Sequence, residues 1–572
     1  MSEQLMALFT RKLFLLVVSL ACFIHFNAGY VLVPGIPMAA NTTVPPRLEI
    51  RTFIRDSTRL NILLLALEAM QANGTTNLLS YYRLSGIHGT NYAWDGDNGG
   101  EYPIDYGYCR HVDRLFPPWH RPYLSLYEKA LLDFATEIVN RFPDGAEKTR
   151  HLTALKTWRF PYWDWAMDSS IPTVMGATSS SKTVTVTKVR NGAFVRVRIP
   201  NPLYSYRFSN TNDINVVLSG SSPRTLETVR NPLVQNNVYT TQPSYTNNQM
   251  ILSGSDLKTN VMDALTLSTD YDSFSNMADG YYSIEGVHGS VHVILGGDGH
   301  MSYPEFAAFD PIFYLHHANI DRLFALWQVV NPDSYISTNT SDSPNIDSAL
   351  HPFRRTQTEY WTSRTARDVT AFGYTYPELI GATRESVIAS INQLYSQPPP
   401  NISKRRKRAS DGNTDYFDPS DITIVSISYN EFVAHITVAN TAAHGSFTVN
   451  LFLGQPSTDL DDSTEDPNFV GRFCVFARTD MPYSKTKMVK GKVTITRSMH
   501  RRYADGELPD LEAATVTAYL TENLYWKITG SEADHFNSDG FKITVVTAEV
   551  QLPLTDDALP VWGEFSTLYE TS

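Results

Sequence analysis

Cysteine is nearly absent from this sequence: Cys22, Cys109 and Cys474 are the only three in 572 residues. Cys22 falls in the leader described below, and the other two sit in different predicted domains, which argues against a disulfide framework. Positive charge is in deficit as well. The formal net charge is −12, and the one basic run is short, which speaks against nucleic acid as a partner. Long apolar runs are scarce. Residues 13–24 form one, with Arg11 and Lys12 before it and Ala28 and Gly29 after it. A basic start, an apolar core and a small-residue exit describe a secretory signal peptide over residues 1–29, and the run is short for a span of about 20 residues. No later stretch is long enough for a stable membrane span. The chain is therefore expected in the secretory pathway, secreted or cell-wall associated. Sequons at Asn41, Asn73, Asn339 and Asn401 suit that location.

What is plentiful is apolar and aromatic mass, 42% and 12% of residues. The length allows two to four domains, or one large domain and a smaller one. From Arg47 to Met70 the residues Leu60, Leu63, Leu64, Leu67 and Met70 recur at helix spacing, and Asn73-Gly74 ends the run. A short helix is predicted over residues 77–84, before Gly86-Ile87-His88-Gly89. A loop rich in Gly, Asp and Tyr then reaches Cys109-Arg110-His111. In FPPWHRPYLSLYEKALLDF the residues His120, Leu124, Tyr127, Leu131 and Phe134 share one helical stripe. RFPYWDWA reads as core wall. Residues 169–260, rich in Ser, Thr and Asn, read as a decorated excursion from a helical core, with a hairpin turning at Asn191-Gly192. His288 and His292 stand one turn apart on a helix that Gly296-Gly297 stops.

Near residue 400 the texture changes. Three prolines precede SKRRKR, whose basic run Lys404-Arg405-Arg406-Lys407-Arg408 lies in a predicted linker, residues 401–414. In a secreted chain such a run is a target for a processing protease. After it come short alternating runs: ITIVSISY, EFVAHITVAN, GSFTVNLFLG, KGKVTITRS, ATVTAYLT and FKITVVTAEVQL. Six such runs predict a β-sandwich over residues 415–572. The expected fold is a mainly α catalytic domain over residues 30–400, a helical bundle with long loops and a few strands, followed by that sandwich.

The stretch that organises the chain is FDPIFYLHHANIDRLFALW, residues 309–327. Asp310 can cap the helix and Pro311 fits its first turn. His317 lies four residues after Phe313 and four before Asp321, so the three share a face. Polar groups in so apolar a helix are costly unless paired or bound. Six of the chain's 15 histidines fall into two triplets: His88, His111 and His120, then His288, His292 and His317. Imidazoles without carboxylate or thiolate suit copper or zinc. Spacing alone leaves a binuclear copper site and a zinc hydrolase both open.

FPPWHRPYLSLYE and FDPIFYLHHANIDRLFALW resemble the two copper motifs of type-3 copper proteins: tyrosinases, catechol oxidases and molluscan-type haemocyanins. RFPYWDWA, NPLYSYRF and FGYTYPEL are similar to segments of long-form fungal tyrosinases. The resemblance covers most of residues 45–380. It implies that His88, His111 and His120 bind one copper ion and His288, His292 and His317 a second. The family uses the second histidine of the HH pair, so His316 is unassigned. Cys109 would form a thioether to His111. Phe313 would wall the second copper, and Asp321 would orient a histidine or anchor the following arginine. The resemblance implies oxidation of o-diphenols to o-quinones with O2 reduced to water. Its small partners are phenols and O2, and homo-oligomer formation is left open. Glu285 matches a family carboxylate that helps take the proton of a monophenol, but Gly289 stands where the family's acceptor is Asn. Monophenol hydroxylation is therefore expected to be weak. Full tyrosinase and o-aminophenol oxidase activities are the alternatives, and an O2 carrier would use the same histidines. The sandwich is expected to cover the site as a lid, with Phe473 and Phe476 among the residues that could plug it. Paired cysteines for copper loading are absent there, Cys474 standing alone.

Overall fold

The computed structural model describes residues 29–38, 42–100, 106–209, 225–236, 238–339, 341–398, 428–460, 462–530 and 533–571. The predicted signal segment up to residue 28 and the basic run Lys404–Arg408 lie outside the described residues. Among the described residues, no helix is long and apolar enough to cross a membrane.

The main helices are α1 (Ser57–Gln71), α2 (Tyr81–Gly89), α3 (Phe116–Asn140), α4 (Gly254–Thr266), α5 (Ile284–Gly296), α6 (Ile312–Val330) and α7 (Arg384–Tyr395). Their ends follow local chemistry. The Asp56 side chain accepts the N–H groups of Thr58 and Arg59 and starts α1. Ser283 does the same for α5 through Gly286, and Gly297, at φ +54°, lets the chain leave it. Asp310 accepts the Ile312 N–H at 3.1 Å and is itself held by Arg230, so the start of α6 is fixed from both sides. α6 is buried along nearly its whole length and lies against α3, α4, α5 and α7. It forms the spine of one large apolar core.

The hairpin turns at Asn191-Gly192 as expected, with φ of +50° and +78°, between β1 (Thr183–Arg190) and β2 (Ala193–Pro200). Two readings need correction. α2 runs on through Gly86 and Gly89 and carries His88 within it. Those glycines serve packing: a Cβ at Gly86 would meet the Tyr92 hydroxyl at 2.0 Å and one at Gly89 the Pro304 carbonyl at 2.2 Å. The excursion also ends earlier than expected, because α4 belongs to the helical core.

The C-terminal domain is two antiparallel sheets. Its strands are β3 (Ser428–Ala439), β4 (Phe447–Leu453), β5 (Phe469–Val475), β6 (Met488–Thr494), β7 (Leu524–Thr529), β8 (Lys542–Gln551), β9 (Val561–Trp562) and β10 (Ser566–Glu570). One sheet runs β6-β3-β8-β9 with β10 also on β8; the other runs β7-β4-β5. Their inner residues share a second core. ATVTAYLT, expected as a strand, is helix α9 (Ala513–Asn523), and α8 (Thr496–Ala504) follows β6. Val516 and Leu520, one helical turn apart, are the residues α9 buries, and that spacing overrode the alternation. β5 was not predicted.

This domain docks on the helices. β5 lies along α5, and its Cys474, with Phe476 just beyond it, joins the helical core rather than its own. Arg478 donates to the carbonyls of Gly89 and Tyr106 at 2.9 and 2.7 Å, and Thr479 N–H to Glu305 at 2.9 Å. Lys487 donates to the Val112 carbonyl at 2.7 Å, and buried Lys492 pairs with Asp263 of α4.

Candidate metal centre

Five of the six predicted ligands come from helices: His88 on α2, His120 on α3, His288 and His292 on α5, and His317 on α6. His111 sits on the loop between α2 and α3. The five helical histidines are at most 1% exposed, and His111 is half-buried. Three of them are tied at Nδ1 to a backbone carbonyl: His88 to Pro304 at 2.8 Å, His120 to Phe116 at 2.8 Å and His292 to Met301 at 2.9 Å. A carbonyl only accepts, so Nδ1 carries the proton and Nε2 keeps its lone pair. Such outer bonds fix the tautomer and the ring orientation of metal-binding histidines.

Those lone pairs converge. His317 Nε2 lies 3.3 Å from His288 Nε2 and 3.1 Å from His292 Nε2. Two nitrogens about 2.0 Å from one tetrahedral ion stand about 3.3 Å apart. Burial, then the neighbouring imidazoles, hold His88, His288 and His317 well below the usual histidine range; burial takes His120 to about 4 and His292 to about 3. Neutral imidazoles are the form a metal binds. The set is thus neutral, buried, convergent and without carboxylate, which fits copper.

The other triplet is less regular. The ligand atoms of His88, Cys109 and His120 lie within 4.8 Å of one another, and His111 stands just outside. Its ring centre is 5.3 Å from that of His88, and its Nε2 lies 3.6 Å from Cys109 Sγ, which is also 3.4 Å from His120 Nε2. Phe313 packs beside both triplets, 4.0 Å from the His317 ring and 4.9 Å from that of His88, while the His120 and His317 rings stack directly, centres 4.4 Å apart.

Asp321 binds neither a histidine nor Arg322, which pairs instead with Asp164 and Glu378. Asp321 accepts Arg121 Nε at 2.7 Å, the hydroxyls of Tyr374 and Tyr376 at 2.6 Å each, and Arg47 at 3.4 Å. Burial would raise its carboxyl, but Arg121 and Arg47 hold it below the ordinary range. Because Arg121 follows His120 and Asp321 lies one turn after His317, this pair keys α3 to α6. Glu285 is buried, and its two oxygens accept the N–H groups of Val112 at 2.6 Å and Met277 at 3.0 Å. Burial pushes its carboxyl up to about 7 against those bonds. It thereby fastens the loop bearing His111 to α5.

Phe476 lies flat on His292, ring centres 4.2 Å apart and planes 15° apart, and reaches His111 at 5.5 Å and His288 at 5.7 Å. Phe473, also expected near the site, packs instead in the core of the C-terminal domain, over Gly491. Clefts of 340 and 260 Å³ open along the seam between the domains, and no histidine of the centre lines either. Sequence reasoning missed Arg478, Lys487 and Arg47, which reach partners far away in the chain: Gly89 and Tyr106, Val112, and Asp321 and Tyr376. It also left out His316, which lies with His288, His292 and His317 in one group.

Two family models match: the common central domain of tyrosinase over residues 78–330 and the tyrosinase C-terminal domain over residues 431–545. The tyrosinase of Podospora anserina is 31% identical, across 87% of this chain and 97% of its own. Polyphenol oxidase 2 of Agaricus bisporus is 29% identical, across 76% and 80%. A structure of latent and active mushroom tyrosinase superposes with a TM-score of 0.75 at 24% identity, covering 94% of this chain and 98% of that one, and so supports the fold. With two histidine clusters suited to metal and both domains matched in order, the chain belongs to the tyrosinase family of binuclear copper oxidoreductases that use O2.

Proposed function

We propose that this protein oxidises o-diphenols to o-quinones in preference to hydroxylating monophenols, and that it is made as a latent, secreted proenzyme. The observation that carries the latency is Phe476: an aromatic ring lies against His292 where a phenol must come to reach the metals. The bound copper pair supplies the exchange of electrons between the diphenol and O2. The protein does the rest. His88, His111 and His120 would hold one ion, and His288, His292 and His317 the other. The carbonyls of Pro304, Phe116 and Met301 keep three of those rings aimed at the centre. Phe313 would wall the site beside His88 and His317.

The preference for diphenols rests on Gly289. A monophenol must be held and deprotonated before oxygen is inserted. Gly289 offers no side-chain acceptor, and both oxygens of Glu285 already hold backbone N–H groups. Cys109 would form a thioether to His111, which would lose the thiol proton and one ring C–H hydrogen, with two electrons passing to copper and O2. Intact mass reads that link as the loss of two hydrogens. Residues 1–29 would direct secretion, and a protease would cut at Lys404–Arg408.

The test uses copper-loaded full-length protein, intact and cut between residues 398 and 428. The cut form is expected to oxidise dopa at least about a hundredfold faster than it hydroxylates tyrosine, the lower end of what a positioned proton acceptor contributes. The intact form is expected to be nearly silent. Equal rates on tyrosine and dopa would overturn the diphenol reading, and equal activity of intact and cut protein would overturn the latency.

A further inference from the structure

His316 is the imidazole of this centre to which the proposed function gives no task. It is fully buried, and neither ring nitrogen has a hydrogen-bond partner. Leaving such a group unsatisfied destabilises the fold, so an unused histidine here would be a net loss. Its surroundings are other imidazoles. The ring stacks on His288, centres 5.2 Å apart and planes 16° apart, and stands 4.8 Å from His292 and 5.0 Å from His317. Trp165 lies 5.8 Å away. The ligand atoms of His288, His292, His316 and His317 all fall within 4.8 Å of one another.

Adjacent residues on a helix point about 100° apart, so His316 and His317 cannot share a face of α6. They reach the same group because α5 packs beside α6 and presents His288 and His292 to both. His288 and His317 also differ from His292: neither has a partner at Nδ1, so no carbonyl fixes their tilt. Two rings with no hydrogen bond at Nδ1, beside a fourth imidazole without a partner, make a site in which one nitrogen can replace another around a single ion.

We propose that His316 is an auxiliary ligand of the second copper site. It holds the ion when His288 or His317 turns away, which speeds loading and slows loss. The inference rests on the copper reading above and assigns this one residue a part in it.

The test is anaerobic titration of the full-length apoprotein with Cu(I) against a competing chelator, followed by transfer of bound copper back to the chelator. The wild type is expected to take two ions. His316→Phe keeps the stack on His288 and removes both nitrogens. It is expected to take two ions but to hold one of them at least about tenfold less tightly, and to release it correspondingly faster, in the range that neighbours of metal ligands contribute. His316→Met restores a copper ligand without hydrogen bonding and should recover retention. His316→Gln restores hydrogen bonding with a poor ligand and should not. Wild-type retention in His316→Phe, or rescue by Gln and not by Met, would overturn the proposal. Should the Phe variant fail to fold, the Met and Gln pair decides alone. A wild-type chain that takes no copper would instead overturn the copper reading itself.

Discussion

Phe476→Ala in the uncut chain tests whether the C-terminal domain silences the centre. The phenylalanine is 7% exposed, and its ring covers His292. Removing such a ring from a well-packed position costs about 3–5 kcal/mol in a core and at least about 2 kcal/mol at an interface anchor. Taking 2–3 kcal/mol for docking, at tenfold per 1.4 kcal/mol, the undocked population rises about 30- to 150-fold. The domain would still associate through Arg478, Thr479, Lys487 and Lys492, whose partners are untouched. The assay is catechol oxidation by uncut protein, set against the same variant cut in the linker. Uncut Phe476→Ala should rise well above uncut wild type, while the two cut forms should match. An uncut variant that folds, binds copper and stays as silent as wild type would refute the assignment of Phe476 as the plug.

Three further outcomes are expected. Asp321→Asn breaks the buried pairs with Arg121 and Arg47 and should cost about 3–5 kcal/mol of stability by chemical denaturation; a loss under 1 kcal/mol would mean that the network does not key α3 to α6. Gly289→Ala places a Cβ 3.2 Å from Phe476 Cβ. That crowding, about 1 kcal/mol, should raise uncut activity roughly fivefold, and unchanged activity would show that the strand yields freely. Glu431 is buried on β3, where Asp263 of α4, Lys492 of β6, Trp562 of β9, Tyr429 of its own strand and Tyr282 face it and Arg497 of α8 lines the same cleft. Burial first, then Asp263, push its carboxyl from the ordinary 4.5 up to about 7. The folded state therefore holds this proton more tightly; the stabilisation is full below about pH 4.5 and is lost as pH rises through about 7. Thermal unfolding of Glu431→Gln should fall less than wild type between pH 5 and 8, and parallel curves would contradict this.

Much of the centre was legible because its signals are local. His288 and His292 show their shared face in a spacing of four, and Asn191-Gly192 declares its own turn. α3 and α6 were readable from apolar stripes and prolines in their first turns. What was illegible is what two distant segments decide together. Asp321 sits on the face of His317, yet its partners come from residues 47, 121, 374 and 376, so proximity in sequence suggested the wrong arginine. His316 was left unassigned because the family uses the second histidine of the pair; the packing of α5 beside α6 makes it part of the group. Phe473 and Phe476 are three residues apart, but one lies within β5 facing its own sheet and the other lies just past the strand end, over the histidines. In α9 the alternating Val, Thr and Tyr wrote a strand, and the burial of Val516 and Leu520 wrote the helix.

The central claim is that two groups of neutral, buried imidazoles grip a pair of copper ions. Copper per polypeptide, measured on folded full-length protein, tests it most directly. Two ions in the wild type and about one after His292→Ala are expected, and a value near zero, or zinc in place of copper, would contradict the account.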